Sequence, residues 1–259
     1  MKSKTAILVG VLALVLVLAL GVKMLFFPSV SDALFQLNSN KLKQAPANVV
    51  LLRPTHFPKS ERSGIMVNSV EHKGKSSQWM MGRNVSLQSV IALAYRYNAG
   101  RVSLPSDAPT GKYDFLVTTT ADPEEHLQSA IRHKLGYTAA VETRDAPVMA
   151  LKVEDPNSQA MKVSTGTRED ITPKNGRLYF THVRLSVISD GLEGMLKTPV
   201  VDKTGMTNFY DFSLLWDSKT AQKIQSGTLD DETGRKILSS WGLGLEPDTA
   251  SIEMLVVRK

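Results

Sequence analysis

A chain of 259 residues, with 42% hydrophobic and 22% charged side chains, has room for one large domain or two small ones, each burying its own core. Its formal charge of +6 falls to about +3 once Lys2, Lys4 and Lys23 are set aside, and no basic run interleaved with aromatics remains, so nucleic acid is not an expected partner. There is no cysteine, which excludes a disulfide framework, thiolate catalysis and cysteine-ligated zinc.

In chain order the first element is MKSKTAILVGVLALVLVLALGVKMLFFPSV, where Lys2 and Lys4 precede an uncharged run over 5–22. A helix over 6–27 would be roughly 33 Å long, near the hydrocarbon thickness of a bilayer. No small-x-small cleavage site follows (the residues are Val22-Lys23-Met24-Leu25), which favours a signal anchor over a cleaved signal peptide. The two lysines place the N-terminus in the cytoplasm and the body outside it; cleavage would make the body a secreted protein. The expected organisation is an anchor over 1–28, a short helix and polar tether over 29–48, one α+β unit over 49–153, a turn-rich linker or long hairpin over 154–176 and a second α+β unit over 177–259.

Val49 to Pro54 reads as a strand ended by proline, and alternation about Lys73-Gly74-Lys75 predicts a hairpin. From there the chain repeats itself. Val85-x-Leu87 and Val183-x-Leu185 each open an apolar helical pattern, with Val90 and Ala94 in one and Ile188, Leu192 and Leu196 in the other. Tyr113-Asp114-Phe115 and Tyr210-Asp211-Phe212 each open a strand. Asp122-Pro123-Glu124-Glu125 and Asp230-Asp231-Glu232 read as acidic helix starts. KLGYTAAVETRDAPVMALKV and SWGLGLEPDTASIEMLVVRK both read as strand, turn, strand. The fold class expected is α+β: two related helix-and-antiparallel-sheet units after one N-terminal transmembrane helix.

Asp202-Lys203-Thr204-Gly205 spells the phosphoryl-aspartate motif of cation-pumping ATPases. The repeat sets Thr204-Gly205 against Thr110-Gly111, and the first copy has no Asp-Lys before it. A role common to both is structural: glycine supplies a positive φ, while threonine and aspartate close the turn through local hydrogen bonds. Asp114 and Asp211 are expected to satisfy turn amides, with Tyr113, Phe115, Tyr210 and Phe212 in the core.

Other chemistry was sought in vain. His126 and His133 lie two turns apart on one helix, about 10 Å, too far to share a metal unaided. Gly-x-Ser-x-Gly, His-Glu-x-x-His and Gly-x-x-x-x-Gly-Lys do not occur, and the acidic pairs are accounted for as helix starts. No catalytic, cofactor-binding or metal-binding residue is therefore expected. Trp79, Tyr95, Tyr97, Trp216 and Trp241 could form a partner surface, but core packing is the favoured role.

The segments RPTHF at 53–57, GKYDFLVT at 111–118, PVVDKTGMTNFYDFSLLW and LGLEPDTASIEMLVV resemble an uncharacterised bacterial family, a domain of unknown function labelled soil-associated. Its signature reads Pro-Val-Val-Asp-x-Thr-Gly-Leu-x-Gly-x-Tyr-Asp-Phe-x-Leu; here Met206 replaces the leucine and Asn208 the second glycine. The resemblance covers roughly 49–259 and implies an exported, often membrane-tethered domain with no agreed activity. Some similar domains are fused to membrane metallopeptidases, which implies sensing or signalling. A weaker similarity of pattern, in VSLQSVIALAYRYNAGRVSL and PEEHLQSAIRHKLGYTAAVE, is to the short N-terminal domain of secretins and TonB-dependent receptors.

The resulting expectation is a membrane-anchored envelope protein whose body is a non-catalytic binding, interaction or sensory module, with an envelope protein or its own copy as partner. The alternatives are a hydrolase of envelope polymers and a self-assembling subunit whose sheet edges pair. A deep polar pocket with converging titratable groups would mark the enzyme.

Overall fold

Alternating apolar residues after position 49 assemble into three four-stranded sheets, packed by helices, in a mixed α+β protein. The structure, a computed structural model, describes residues 32–58, 61–72, 75–215 and 231–259. The expected anchor, the centre of the predicted hairpin turn, Trp216 and Asp230 lie outside them. Among the described residues no helix is long and apolar enough to cross a membrane.

The first half runs α1 (Ser39–Lys43), β1 (Val50–Pro54), β2 (Gly64–His72), β3 (Lys75–Ser86), α2 (Leu87–Ala94), β4 (Val102–Ser103), β5 (Lys112–Val117), α3 (Pro123–Leu135) and β6 (Thr138–Val153). The second half runs β7 (Lys162–Val163), β8 (Asp170–Lys174), β9 (Arg177–Val183), α4 (Leu185–Leu196), β10 (Val200–Asp202), β11 (Tyr210–Leu215), α5 (Asp231–Ser239) and β12 (Leu243–Arg258). After α1 the two match element for element. The first sheet has the order β1-β5-β3-β2 and the second the order β7-β11-β9-β8, antiparallel throughout. Even the register corresponds: Val85 faces Tyr113 and Met80 faces Val117 in one, Val183 faces Tyr210 and Leu178 faces Leu214 in the other.

The local reasons are ordinary. The Ser86 hydroxyl accepts from Ser89 N (3.1 Å) and caps α2, whose Leu87, Val90, Ile91 and Ala94 are buried at helical spacing. Pro123 opens α3, Glu124 and Glu125 sit in its first turn, and Gly136 ends it at φ 77°.

Three expectations need correction. First, β6 and β12 are each a single strand of 16 residues, not strand-turn-strand. Pro147 and Pro247 suggested turns, but both sit where no ladder donor is required. Met149 N, of the same parity as Pro147, points outward to Pro199 O (2.8 Å), and β10 reaches only 149–151. Pro247 lies opposite Met149 and so also faces outward, where β4 pairs only Leu255 and Val256. Second, of the two readings of 154–176 the hairpin is the one present: the segment contains β7 and β8, and β8 pairs antiparallel with β9, so the second half begins earlier than position 177. Third, the part of the tether that is described is packed: Phe35 and Leu42 are buried against Val70, Trp79, Met81 and Leu116 on the first sheet.

The third sheet joins the halves in the order β10-β6-β12-β4, and it is mixed instead of antiparallel. β6 and β12 pair antiparallel along their whole length, from Thr138 opposite Arg258 to Val153 opposite Leu243. Strands of about 50 Å reach across both halves. β10 of the second half therefore adds parallel to β6, and β4 of the first half adds parallel to β12. Leu255 and Val257 fill the first core with α2 and α3, while Leu151 fills the second.

A part-buried ion pair locks this exchange. Arg101 donates from Nε and Nη2 to Glu193 Oε1 and Oε2 (2.7 and 2.9 Å), and Oε2 also accepts from Val200 N (3.0 Å) at the start of β10. The hydrogen bond to the Glu193 carboxylate raises the Arg101 pKa. Gly100 lets the two halves touch, since a Cβ there would lie 3.0 Å from Thr198 N. Glu193→Ala strands Arg101 and frees Val200 N, and is expected to lower stability by about 3 kcal/mol in urea denaturation. Lys203→Ala, which breaks the surface pair with Asp248 (2.7 Å), should leave the midpoint nearly unchanged.

Candidate functional site

The Tyr-Asp-Phe aspartates are placed alike by the duplication. Asp114 is fully buried. Its Oδ1 accepts from Asn84 N (3.0 Å) and Thr55 Oγ1 (2.8 Å), and its Oδ2 accepts from His56 N (3.3 Å) and Arg53 Nη2 (3.4 Å). Asp211 Oδ1 accepts from His182 N (2.8 Å), and the Ser164 hydroxyl donates to the same carboxylate. Asn84 and His182 occupy equivalent positions and both are left-handed, at φ 53° and 54°. Each lies at the irregularity where the strand leaves the ladder for its helix, so its N–H loses its cross-strand partner. The carboxylate replaces that partner.

Thr55 and Ser164 complete the equivalence. Their N–H groups donate to Lys112 O (2.9 Å) and Phe209 O (2.8 Å), and their hydroxyls accept from Phe57 N (3.2 Å) and Gly166 N (3.1 Å). Tyr113, Phe115, Tyr210 and Phe212 are buried in their cores. The halves differ around the carboxylate. In the first, Arg53 stacks on Phe35 and pairs with Asp32, tying down the N-terminal segment. In the second, Asp211 is only half-buried, and His182 and Arg184 both stack on Phe209.

Asp202 Oδ1 accepts from Thr204 N (2.9 Å) and Thr204 Oγ1 (2.7 Å), Thr204 Oγ1 accepts from Met206 N (3.1 Å), and Gly205 has φ 70°. This is a self-closed turn. Its predicted counterpart does not hold: the register that pairs Tyr113 with Tyr210 sets Thr110-Gly111 against Thr207-Asn208, three residues later. Gly111 has no positive φ, and a Cβ on it would touch nothing. The Asp-Lys-Thr-Gly turn belongs to the second half alone.

What the sequence reading missed is a cavity of about 270 Å³ between α4, α5 and the second sheet. Phe180, Ile188, Leu192, Met195, Ile237 and Trp241 dominate its wall, which carries no titratable side chain among the described residues. Phe180 and Phe212 stack at 4.6 Å, with Trp241 edge-on to both. Trp241 Nε1 donates to Ser213 O (2.9 Å), which turns its polar edge away. A second hollow of about 250 Å³, by Met161, Met206 and Leu243, lies against the same tryptophan.

Of the other aromatics singled out, Trp79 is buried and Tyr95 and Tyr97 pack partly against the first core. His126 and His133 are exposed on α3, and no cluster of three metal-ligating side chains occurs among the described residues. The first signal for the cavity was Ile237 and Trp241, one helical turn apart, facing the apolar stripe of α4.

Fold and site together define an α+β protein of two like halves with an apolar hollow in the second. The chain belongs to the family described as Protein of unknown function (DUF3738), whose model matches residues 88–259, from α2 to the end of β12. No curated protein and no solved structure matches the chain.

The Ser164 hydroxyl, with His182 N–H behind it, holds the Asp211 carboxyl below its usual pKa; the Arg53 guanidinium does the same to Asp32. Both folded values lie below the unfolded ones. Their contribution is thus complete above about pH 4 and disappears as pH falls through the folded values. The urea midpoint should fall below that pH, and less steeply in Asp211→Asn. At pH 7, Asp114→Ala should cost about 2–3 kcal/mol, since it orphans buried donors, and Asp211→Ala about 1 kcal/mol.

Proposed function

We propose that this chain is a non-catalytic binding module of the cell envelope, held at the membrane by its N-terminal apolar run, and that its ligand occupies the cavity against Trp241. The resemblance to soil-associated exported domains is part of this reading. The cavity carries it. An apolar cavity of about 150 Å³ stays dry and takes benzene, so one of about 270 Å³ suits an uncharged chain or ring system of roughly eight to ten carbons. Each buried methylene contributes about 0.8 kcal/mol, whereas a charge placed there would be unpaired. The ligand's buried end is therefore a neutral hydrocarbon. The same wall favours binding over hydrolysis of envelope polymers, because among the described residues it offers no acid or base to a bond held within it.

Decanol is the first probe. Saturating decanol is expected to raise the melting temperature and shift the tryptophan emission, and decanoate should do so more weakly. Gly191 lines the cavity, and a Cβ on it meets nothing within 4 Å. Gly191→Leu should therefore fill the space, gain up to about 1 kcal/mol from helix propensity and abolish the decanol response. A wild-type protein indifferent to decanol, or a Gly191→Leu variant that still responds, would overturn the reading.

A further inference from the structure

The duplication supplies an internal comparison for the two sheet edges. β2 and β8 hold the same edge position in the first and second sheets. β8 is blunted: it has five residues, Pro173 among them, with Asp170 and Lys174 at its ends. Short length, charge and proline are the usual protection of an edge against further pairing. β2 has none of these over most of its length. It runs for nine residues without proline, with no charged side chain from Gly64 to Val70, and pairs with β3 from Gly64–Arg83 to His72–Lys75 without a register shift. Its outer N–H and C=O groups therefore form a straight template.

The faces of β2 differ as well. Met66 and Val70 pack under the N-terminal segment. Ile65 and Val67 point the other way, and are 38% and 41% exposed although Met80, directly opposite Val67, is 1% exposed. The apolar layer beneath α2 and α3 thus continues past the helices to the edge of the sheet, where no described residue covers it.

We infer that β2 is an interface on which a second copy of this chain adds its own β2, antiparallel, so that two four-stranded first sheets become one of eight. The strand is self-complementary for this. With Val67 on the two-fold axis, it lies opposite its own counterpart, and Ile65 reaches Val67 of the other copy diagonally. The four β-branched side chains become one continuous patch. Gly64 falls opposite Val70 and Met66 opposite Asn68, with no charged residue in the seven-residue overlap over 64–70. Such an isologous contact closes on itself and ends at a dimer.

The absence of cysteine makes the test direct. In the full-length protein in detergent, Val67→Cys places two thiols on the axis, within the Cβ separation of directly opposed strand residues. Mild oxidation is expected to convert most of the chain to a covalent dimer. Two controls report collision alone: Thr172→Cys on the equivalent edge strand β8, and Val141→Cys, which at 53% exposed is more accessible than Val67. Both should cross-link at least tenfold more slowly. Ser69→Pro, with its far-ultraviolet spectrum unchanged, should convert the dimer to monomer in analytical ultracentrifugation. Cross-linking at position 67 no faster than at 172 or 141 would overturn the inference, as would a monomeric wild-type chain. A cross-linked species heavier or lighter than two chains, obtained in native membranes, would also overturn it and assign the edge to a different strand donor.

Discussion

The ladder between β6 and β12 is the constraint on which the rest depends. Neither half closes a core with its own strands alone. The helices α2 and α3 pack on Leu255 and Val257, which arrive from the last strand of the second half, and the second core receives Leu151 from the last strand of the first. Each long strand is thus shared along its length, and the short strands β4 and β10 dock parallel to the partner half's strand. A pair of duplicated domains joined by a linker would behave as two bodies. This exchange makes them one, with the part-buried Arg101–Glu193 pair where they cross.

The second recurring device is the aspartate beneath a left-handed residue. An L-residue at positive φ is strained, and the strand irregularity that creates it also strips its N–H of a ladder partner. A carboxylate on the neighbouring strand meets that N–H, and a hydroxyl just past the end of the edge strand lies against the carboxylate. Asn84, Asp114 and Thr55 do this in one half; His182, Asp211 and Ser164 do it in the other. The strand can then turn into its helix with the displaced backbone N–H paired. Having solved the same problem twice, the chain varies only the surroundings. Arg53 and Asp32 close the first site over the N-terminal segment, and the second stays half-open.

Much of this was legible in the residues. Tyr-Asp-Phe, the acidic helix starts and the helical spacing after Val85 and Val183 located matching elements, because each reflects a local requirement. What failed was whatever needed register or contacts distant in sequence. β8 is exposed at every residue and contains Pro173, so it shows no alternation to read. Pro147 and Pro247 mimic turn residues, because only the neighbouring strand's end shows that their missing donors face an open side. Matching Thr-Gly to Thr-Gly by letters misplaced the turn by three residues, which only the ladder corrects. Phe35 and Leu42 were visible as apolar residues, but nothing local says that a sheet face awaits them.

The asymmetry between the halves explains where the hollow lies. In the first half Gly82 stands where Phe180 stands in the second. A Cβ at Gly82 would overlap the Phe115 ring, so the missing side chain is what admits that ring and closes the first core. In the second half both positions carry phenylalanine, and the rings stack side by side as a broad shelf. Opposite that shelf, Gly191 on α4 and Gly234 on α5 contribute no side chain, and no described residue fills the space between. Interiors pack tightly by default. Among the described residues the hollow thus lies where the side chains of the two like halves differ, with Gly82 in the first half and Phe180 in the second.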